Sequence, residues 1–260
     1  MPFENLLVAD RGGVRTLTVN RPSKLNALDQ ATIGELHAAF EQSREDAAVR
    51  VIVLAGAGEK AFVAGADIGE LAAASPVQAQ AFSRAGQRMM RTVETLGKPV
   101  LARIQGFALG GGLELAMCCH LRIAADTARV GLPEITLGLL PGFGGTQRLL
   151  RLAGRAAALE LCLLGQPVDA ARALQLGIVN RVVARDQLDA EVDALADQLA
   201  ASAPHALGGI LDAVVRGGEC PLDEALDYET KAFALCCSTN DMREGTRAFL
   251  ERRKAVFSGS

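Results

Sequence analysis

Three consecutive glycines, Gly110, Gly111 and Gly112, stand between the apolar run PVLARIQG and LELAMCC, a sequence of good helix formers. That order permits few local structures. The apolar run reads as a strand buried on both faces, and the glycines fall where the chain turns from it into a helix. A helix start leaves backbone N–H groups without intrahelical partners and carries the positive end of the helix dipole. Glycine there lets a ligand approach the main chain, and the pole favours an anion or an oxygen that becomes one. Glu114 lies in the first turn of that helix, and Glu134 follows in GLPEITLG, where a proline and a glycine place it at a strand end or in a loop. GGGLE alone also has a plain structural reading: an acidic residue complementing the dipole, with glycines allowing close packing.

The rest of the chain repeats the pattern of strand, loop and helix, which indicates an α/β fold. VRTLTV (14–19) is a short β-branched strand leading into NRPSKLNAL. Asp29 then reads as an N-cap for a helix carrying Ile33, Leu36 and Phe40 at helical spacing as far as Arg44. RVIVLAG (50–56) is a second fully apolar strand, followed by the glycine-containing loop GAGEKAFVAGADIGEL. A long helix is expected over 76–96, with Phe82, Met89 and Val93 on one face. LRIAA and RVGL are two further strands. Beyond Gly154 come the helical AAALELCLLG, a short helix capped by Asp169 and closed by Gly177, and a last strand, IVNRVVA. From Asp186 nearly everything is helical, with Leu188, Val192, Leu195 and Leu199 on one face. A boundary near Ser202 divides a core domain (1–202) from a C-terminal helical region (203–260). The latter, apolar at Phe233, Leu235 and Phe249, is expected to pack on a partner or a neighbouring core.

Composition excludes several classes. With 27 basic against 30 acidic residues and no basic run, the chain lacks the clustered positive face that nucleic acid needs. The most apolar long stretch (99–125) is interrupted by Arg103, Gln105, Glu114, His120 and Arg122, too polar to span a bilayer. The first residues lack the basic and apolar regions of a secretory signal. Six cysteines without a C-x-x-C spacing suit a reduced, cytoplasmic setting. His37, His120 and His205 form no metal-ligand spacing, so no metal or separate cofactor is expected. The serine-hydrolase elbow, the zinc-protease helix, the P-loop and the dinucleotide fingerprint are all missing.

Two carboxyls and two glycine-rich loops remain. Two glutamates facing one site can hold a water between them, one taking its proton and the other donating a proton to carbon. An unperturbed glutamate titrates near ~4.3, so one member has to be raised by burial and by its neighbour's charge. Leu113 and Leu115 flank Glu114, and Leu132, Ile135 and Leu137 surround Glu134. Glycosidases also pair carboxylates, but their sugar clefts favour aromatic platforms, and this chain has no Trp and one Tyr.

GFALGGGLELAMCC, GLPEITLGLLPGFGGTQRL, the upstream NRPSKLNAL and AFVAGADI, and the closing EGTRAFLERRKAVF resemble, in this order, the enoyl-CoA hydratase/isomerase (crotonase) family. The likeness runs from about Val14 to Phe257. It implies a spiral of repeated ββα units with a C-terminal helical trimerisation region, and an acyl-CoA substrate whose CoA is not a separate cofactor. By the same resemblance, Glu114 handles the water and Glu134 protonates the α-carbon. Ala64 and Gly111 match the two N–H donors of the oxyanion hole, and Gly142 a backbone position near the water. Lys24, Asn26, Ala27, Leu28, Asp67 and Ile68 match CoA-lining positions. Phe249 and Lys254 match C-terminal CoA contacts, commonly supplied by a neighbouring subunit of a homotrimer or a dimer of trimers.

Retention of both glutamates implies syn hydration of a trans-2-enoyl-CoA, in fatty-acid or aromatic (phenylacetate-type) catabolism. The alternatives within the resemblance are Δ3-Δ2 isomerisation, hydration of a dehydroadipyl-CoA-type substrate, and a CoA- or RNA-binding relative without activity. An acidic balance opposes the RNA-binding reading. His120 stands where the family often has Asp and reads as a packing residue. Phe82, Met89 and Met90 read as core or as lining of an acyl pocket, Asp67 also as an N-cap, and Lys24 also as a solvated charge.

Overall fold

The computed structural model describes residues 3–260. Strand β1 (Leu6–Arg11) turns through Gly12 and Gly13 into β2 (Val14–Val19), an antiparallel hairpin with Arg11 opposite Val14. The sequence expectation began at β2. The signal it passed over is the two-glycine turn, both residues at positive φ, as a two-residue hairpin requires. Helix α1 (Gln30–Glu45) follows, its cap confirmed by the bond from the Thr32 N–H to Asp29 Oδ1 at 2.8 Å.

The next three passages of chain are built alike. Strand β3 (Val51–Gly56) and the short β4 (Ala61–Val63) precede helices α2 (Ile68–Ala72) and α3 (Pro76–Glu94). Strands β5 (Val100–Ile104) and β6 (Phe107–Leu109) precede α4 (Gly111–Cys118). Strands β7 (Leu121–Ala125) and β8 (Arg129–Gly131) precede a 3₁₀ turn (Pro133–Leu137) and α5 (Gly145–Leu164). The first strand of each passage joins one sheet and the second joins another, giving the orders β1-β2-β3-β5-β7-β10 and β4-β6-β8-β9. Strand β9 (Val168–Asp169), helix α6 (Ala170–Gln175) and strand β10 (Arg181–Val183) complete both sheets. Each sheet is mixed, parallel except for the pairs β1–β2 and β8–β9. Strand β4 lies within the stretch expected to be a glycine-containing loop, where three residues between loop sequences carry too little alternation to stand out.

The continuous apolar runs follow from burial on both faces of the larger sheet. Ile52, Leu54, Val100 and Ala102 face the main core with α1, α3 and α4, whereas Val51, Val53, Leu101 and Ile123 face α7 (Leu188–Ala200). On α7 the expected stripe is present: Leu188, Val192 and Leu195 are buried, and Leu199 packs against them. Helices α8 (Pro204–Gly217), α9 (Leu222–Cys237) and α10 (Asn240–Leu250) end the chain. Their large apolar residues are outward, with Phe233 at 70%, Leu235 at 71% and Phe249 at 83% exposure. Among the described residues no helix is long and apolar enough to cross a membrane.

Candidate active site

Every residue of α4 is buried, which explains why its sequence shows no polar face. Gly112 makes the placement possible, since a Cβ there would lie 1.8 Å from the Val63 carbonyl oxygen of β4. Glu114 is the only charged residue of this helix and is 1% exposed. Its Oε1 accepts N–H bonds from Phe143 at 2.8 Å and from Gly145, the first residue of α5, at 2.6 Å. One carboxyl oxygen therefore caps the start of a second helix. No hydrogen bond from the described residues reaches Oε2.

Glu134 comes from the 3₁₀ turn after β8, and its Oε2 is buried without a hydrogen-bond partner among the described residues. Both glutamates line one cavity of about 330 Å³ with Ala66, Gly111, Gly142 and Phe143. Apart from Ser83 and Thr136 its side-chain walls are otherwise apolar, and no Lys, Arg or His among the described residues lines it. Burial, then the charge of Glu134, pushes Glu114 up to about 7, against the opposing effect of the Gly145 and Phe143 N–H groups and of Arg148. Burial also raises Glu134. Such a pair titrates jointly.

The structure corrects one expected donor. The Ala64 N–H is already bonded to the Leu25 carbonyl at 3.0 Å, so it has no capacity for a ligand. Two residues on, Leu28 bonds on both sides of Ala66: its N–H reaches the Gly65 carbonyl at 2.8 Å and its carbonyl accepts from the Asp67 N–H at 2.8 Å. Alternation along the extended chain then turns the Ala66 N–H away from Leu28. It lies beside the start of α4, 3.4 Å from where a Cβ on Gly111 would be. Gly111, in the first turn of α4, carries an N–H that helix geometry leaves unpaired. Ala66 and Gly111 are thus the adjacent pair of available donors. Ala66, in the same VAGAD stretch as Ala64, is therefore the candidate donor.

The loop residues separate into those that face the cavity and those spent on the fold. Ile68 lines the cavity. The Asn26 side chain is 1% exposed and bonds the Ala57 and Ala61 carbonyls at 2.9 and 3.0 Å, while its oxygen accepts from the Arg21 N–H at 3.0 Å. Leu28 is fully buried in the core. The Ala27 carbonyl is taken by the Arg21 guanidinium. Asp67 caps α2 through the Gly69 N–H at 3.1 Å and pairs with Arg21 at 3.2 Å. Lys24 is exposed and lies outside the cavity wall, as do Phe249 and Lys254. Gly142 is on the wall, its carbonyl accepting from Ser83 Oγ at 2.6 Å and Gln87 Nε2 at 3.0 Å.

Phe82 lines the cavity and packs edge-on against Phe143, with ring centroids 5.1 Å apart. Met89 and Met90 are core residues. His120 is structural: Nδ1 accepts from the Val100 N–H at 2.9 Å, which leaves Nε2 to donate to the Glu94 carbonyl at 3.2 Å. Burial lowers it to about 4, so the ring is neutral near pH 7.

A paired-carboxyl cavity with backbone donors at a helix start can be placed among known proteins. The profile of the enoyl-CoA hydratase/isomerase family matches residues 9–260. The chain belongs to that family. Its relatives include the short-chain-enoyl-CoA hydratase of Clostridium acetobutylicum, 42% identical across 98% of this chain and 97% of that one. The crotonyl-CoA hydratase of Syntrophomonas wolfei is also 42% identical, across 99% of each. Among solved structures, an enoyl-CoA hydratase from Bacillus anthracis superposes with a TM-score of 0.96 at 38% identity, covering 99% of this chain and 100% of that one. The two mixed sheets and the C-terminal helices are therefore the crotonase fold.

Proposed function

We propose that this enzyme, a hydro-lyase, adds water reversibly to a short-chain trans-2-enoyl-CoA. The observation that carries the reading is one apolar cavity holding Glu114, Glu134 and the N–H groups of Ala66 and Gly111. The thioester oxygen accepts from those two N–H groups. A water held by the glutamates gives a proton to Glu114 as its oxygen bonds to C3. The C2–C3 π electrons move toward the thioester, placing enolate charge on the oxygen at the two donors. Glu134 then gives its proton to C2, and the next water restores both carboxyls to their starting forms. Glu114, with two N–H bonds and Arg148 nearby, suits the negative charge, and Glu134, with its unpartnered oxygen, suits the proton.

The apolar wall formed by Ile68, Leu71, Phe82, Leu137 and Leu140 suits a small hydrocarbon tail, and the lack of a lining cation disfavours a dicarboxylyl one. A hydrocarbon tail of this kind supports the fatty-acid rather than the ring-derived branch of acyl-CoA breakdown. Loss of enoyl-thioester absorbance with crotonyl-CoA is the expected result. Retained absorbance together with conversion of a 3-enoyl-CoA would assign the isomerase reaction instead.

Assembly is part of the same reading. Phe249 and Lys254 lie off the cavity wall of their own chain, and α9 and α10 hold exposed apolar side chains. A homotrimer or a dimer of trimers would cover those faces and bring the C-terminal residues toward a neighbour's CoA. Light scattering on the eluted protein measures the mass that decides it.

A further inference from the structure

Arg148 lies in the first turn of α5, at the positive end of that helix dipole, where helix stability alone disfavours a cation. It is only 14% exposed as a side chain, and one of its bonds leads to a residue of the cavity wall. Its Nη1 donates to the Phe143 carbonyl at 2.6 Å, and the Phe143 N–H holds Glu114 Oε1. On the other side, Nε and Nη2 bond the two oxygens of Glu94 at 2.6 and 3.2 Å. Glu94 is the last residue of α3, and its own carbonyl accepts from His120. A chain of contacts therefore runs from His120 through Glu94 and Arg148 to the residue that presents an N–H to the water-handling carboxylate.

We infer that Glu94 and Arg148 form a positioning pair for Glu114: the guanidinium fork fixes Phe143 so that its N–H holds Oε1, leaving Oε2 free for water. Neither residue lines the cavity, so the pair acts through Phe143 and through its charge. The charged and titratable groups acting on Glu114 or Arg148 come from four elements: Glu134 from the 3₁₀ turn, Arg148 and Cys162 from α5, Glu94 from α3, where Arg91 also pairs with it, and Cys118 from α4. Arg148 favours the ionised form of Glu114, and Glu94 limits that effect by neutralising Arg148. Removing either partner thus moves the dyad in opposite directions, which a role in stability alone would not do.

The inference rests on the hydratase reading above, and the test separates the two. The parent, Arg148→Met, Arg148→Lys and Glu94→Gln are compared for crotonyl-CoA hydration across pH, with melting temperature followed in parallel. Arg148→Met should lower kcat roughly 10-fold to 100-fold with KM nearly unchanged, because a small displacement of a reacting group is enough to lose that much rate. Its kcat/KM profile should move to higher pH by roughly half a unit or more, and the Glu94→Gln profile to lower pH. Arg148→Lys, which keeps the charge but loses the fork, should hold the parent's profile while recovering kcat only in part. Should Arg148→Met fail to fold, the two conservative variants decide the matter. A profile unmoved in Glu94→Gln and full kcat in Arg148→Lys would overturn the pair's role, as would lowered melting alone. The infrared carboxyl band gives the same opposite titration shifts without turnover, so an inactive parent would reject the hydratase reading and still leave the pair decided.

Discussion

A methyl group on Gly110 would lie 3.0 Å from Glu134 Oε1, so the residue that opens the helix start also leaves room for the second carboxyl. Gly110 has φ 52° and ψ −125°, a conformation that residues with a Cβ rarely adopt. Gly110→Ala should therefore lower stability by about 1–3 kcal/mol through backbone strain and also reduce kcat by displacing Glu134. Denaturant unfolding and turnover check the two effects separately. A loss of stability with unchanged kcat would show that Glu134 tolerates the displacement.

Glu134→Gln should reduce turnover of crotonyl-CoA roughly 100-fold or more, with KM changed only a few-fold, because proton delivery belongs to the transition state. Glutamine cannot ionise, so the charge by which an ionised Glu134 raises Glu114 never forms, and Glu114 should titrate below its present value of about 7. A carboxyl-sensitive infrared titration measures this, and an upward shift would contradict the proposed coupling.

The same burial links stability to pH. Glu114 keeps its proton in the folded state up to about 7, whereas its ordinary value is 4.5. Between those values the folded state binds more protons than the unfolded one, so the stability associated with this group falls as pH rises. Across that span the loss is about 3 kcal/mol. Glu114→Gln abolishes it, and the variant's melting temperature should improve relative to the parent's from pH 5 to pH 8. A constant difference would remove the argument.

Phe143 lies against Gly86 of α3: a Cβ at Gly86 would stand 2.3 Å from the ring. Gly86→Ala should push the ring toward the cavity, destabilise by about 1–3 kcal/mol and raise KM for crotonyl-CoA. Adding Phe143→Ala should relieve that clash and admit longer acyl chains, while the lost buried ring costs about 3–5 kcal/mol of stability. Kinetics over a series of chain lengths tests both variants.

Replacing the backbone N–H by an ester oxygen distinguishes Ala66 from Ala64. At position 66 the loss should appear in turnover, roughly 10²-fold to 10³-fold. At position 64 it should appear as about 1 kcal/mol of stability, from the lost bond to Leu25. Equal effects on turnover would return Ala64 to the oxyanion hole.

The sequence disclosed those features whose causes are local. β3 and β5 announced themselves as unbroken apolar runs, α1 through Asp29 and its spaced apolar residues, and the glycines before Glu114 as a helix start. β4, set among glycine-rich loop residues, lacks room for a period, and the freedom of the Ala66 N–H depends on where Leu28 pairs. Asn26 looked like a ligand contact within its motif, but its amide satisfies carbonyls more than thirty positions away. Arg148 and Glu94 are 54 positions apart, and neither has a local pattern that reveals the other.

Ala66, Gly111 and Glu134 follow β4, β6 and β8, one from each successive passage through the smaller sheet. The cavity is accordingly a seam across three coils, with its width set by their pitch. A bound acyl-CoA would staple these coils together, and amide exchange should slow in all three at once, including where no atom touches the ligand.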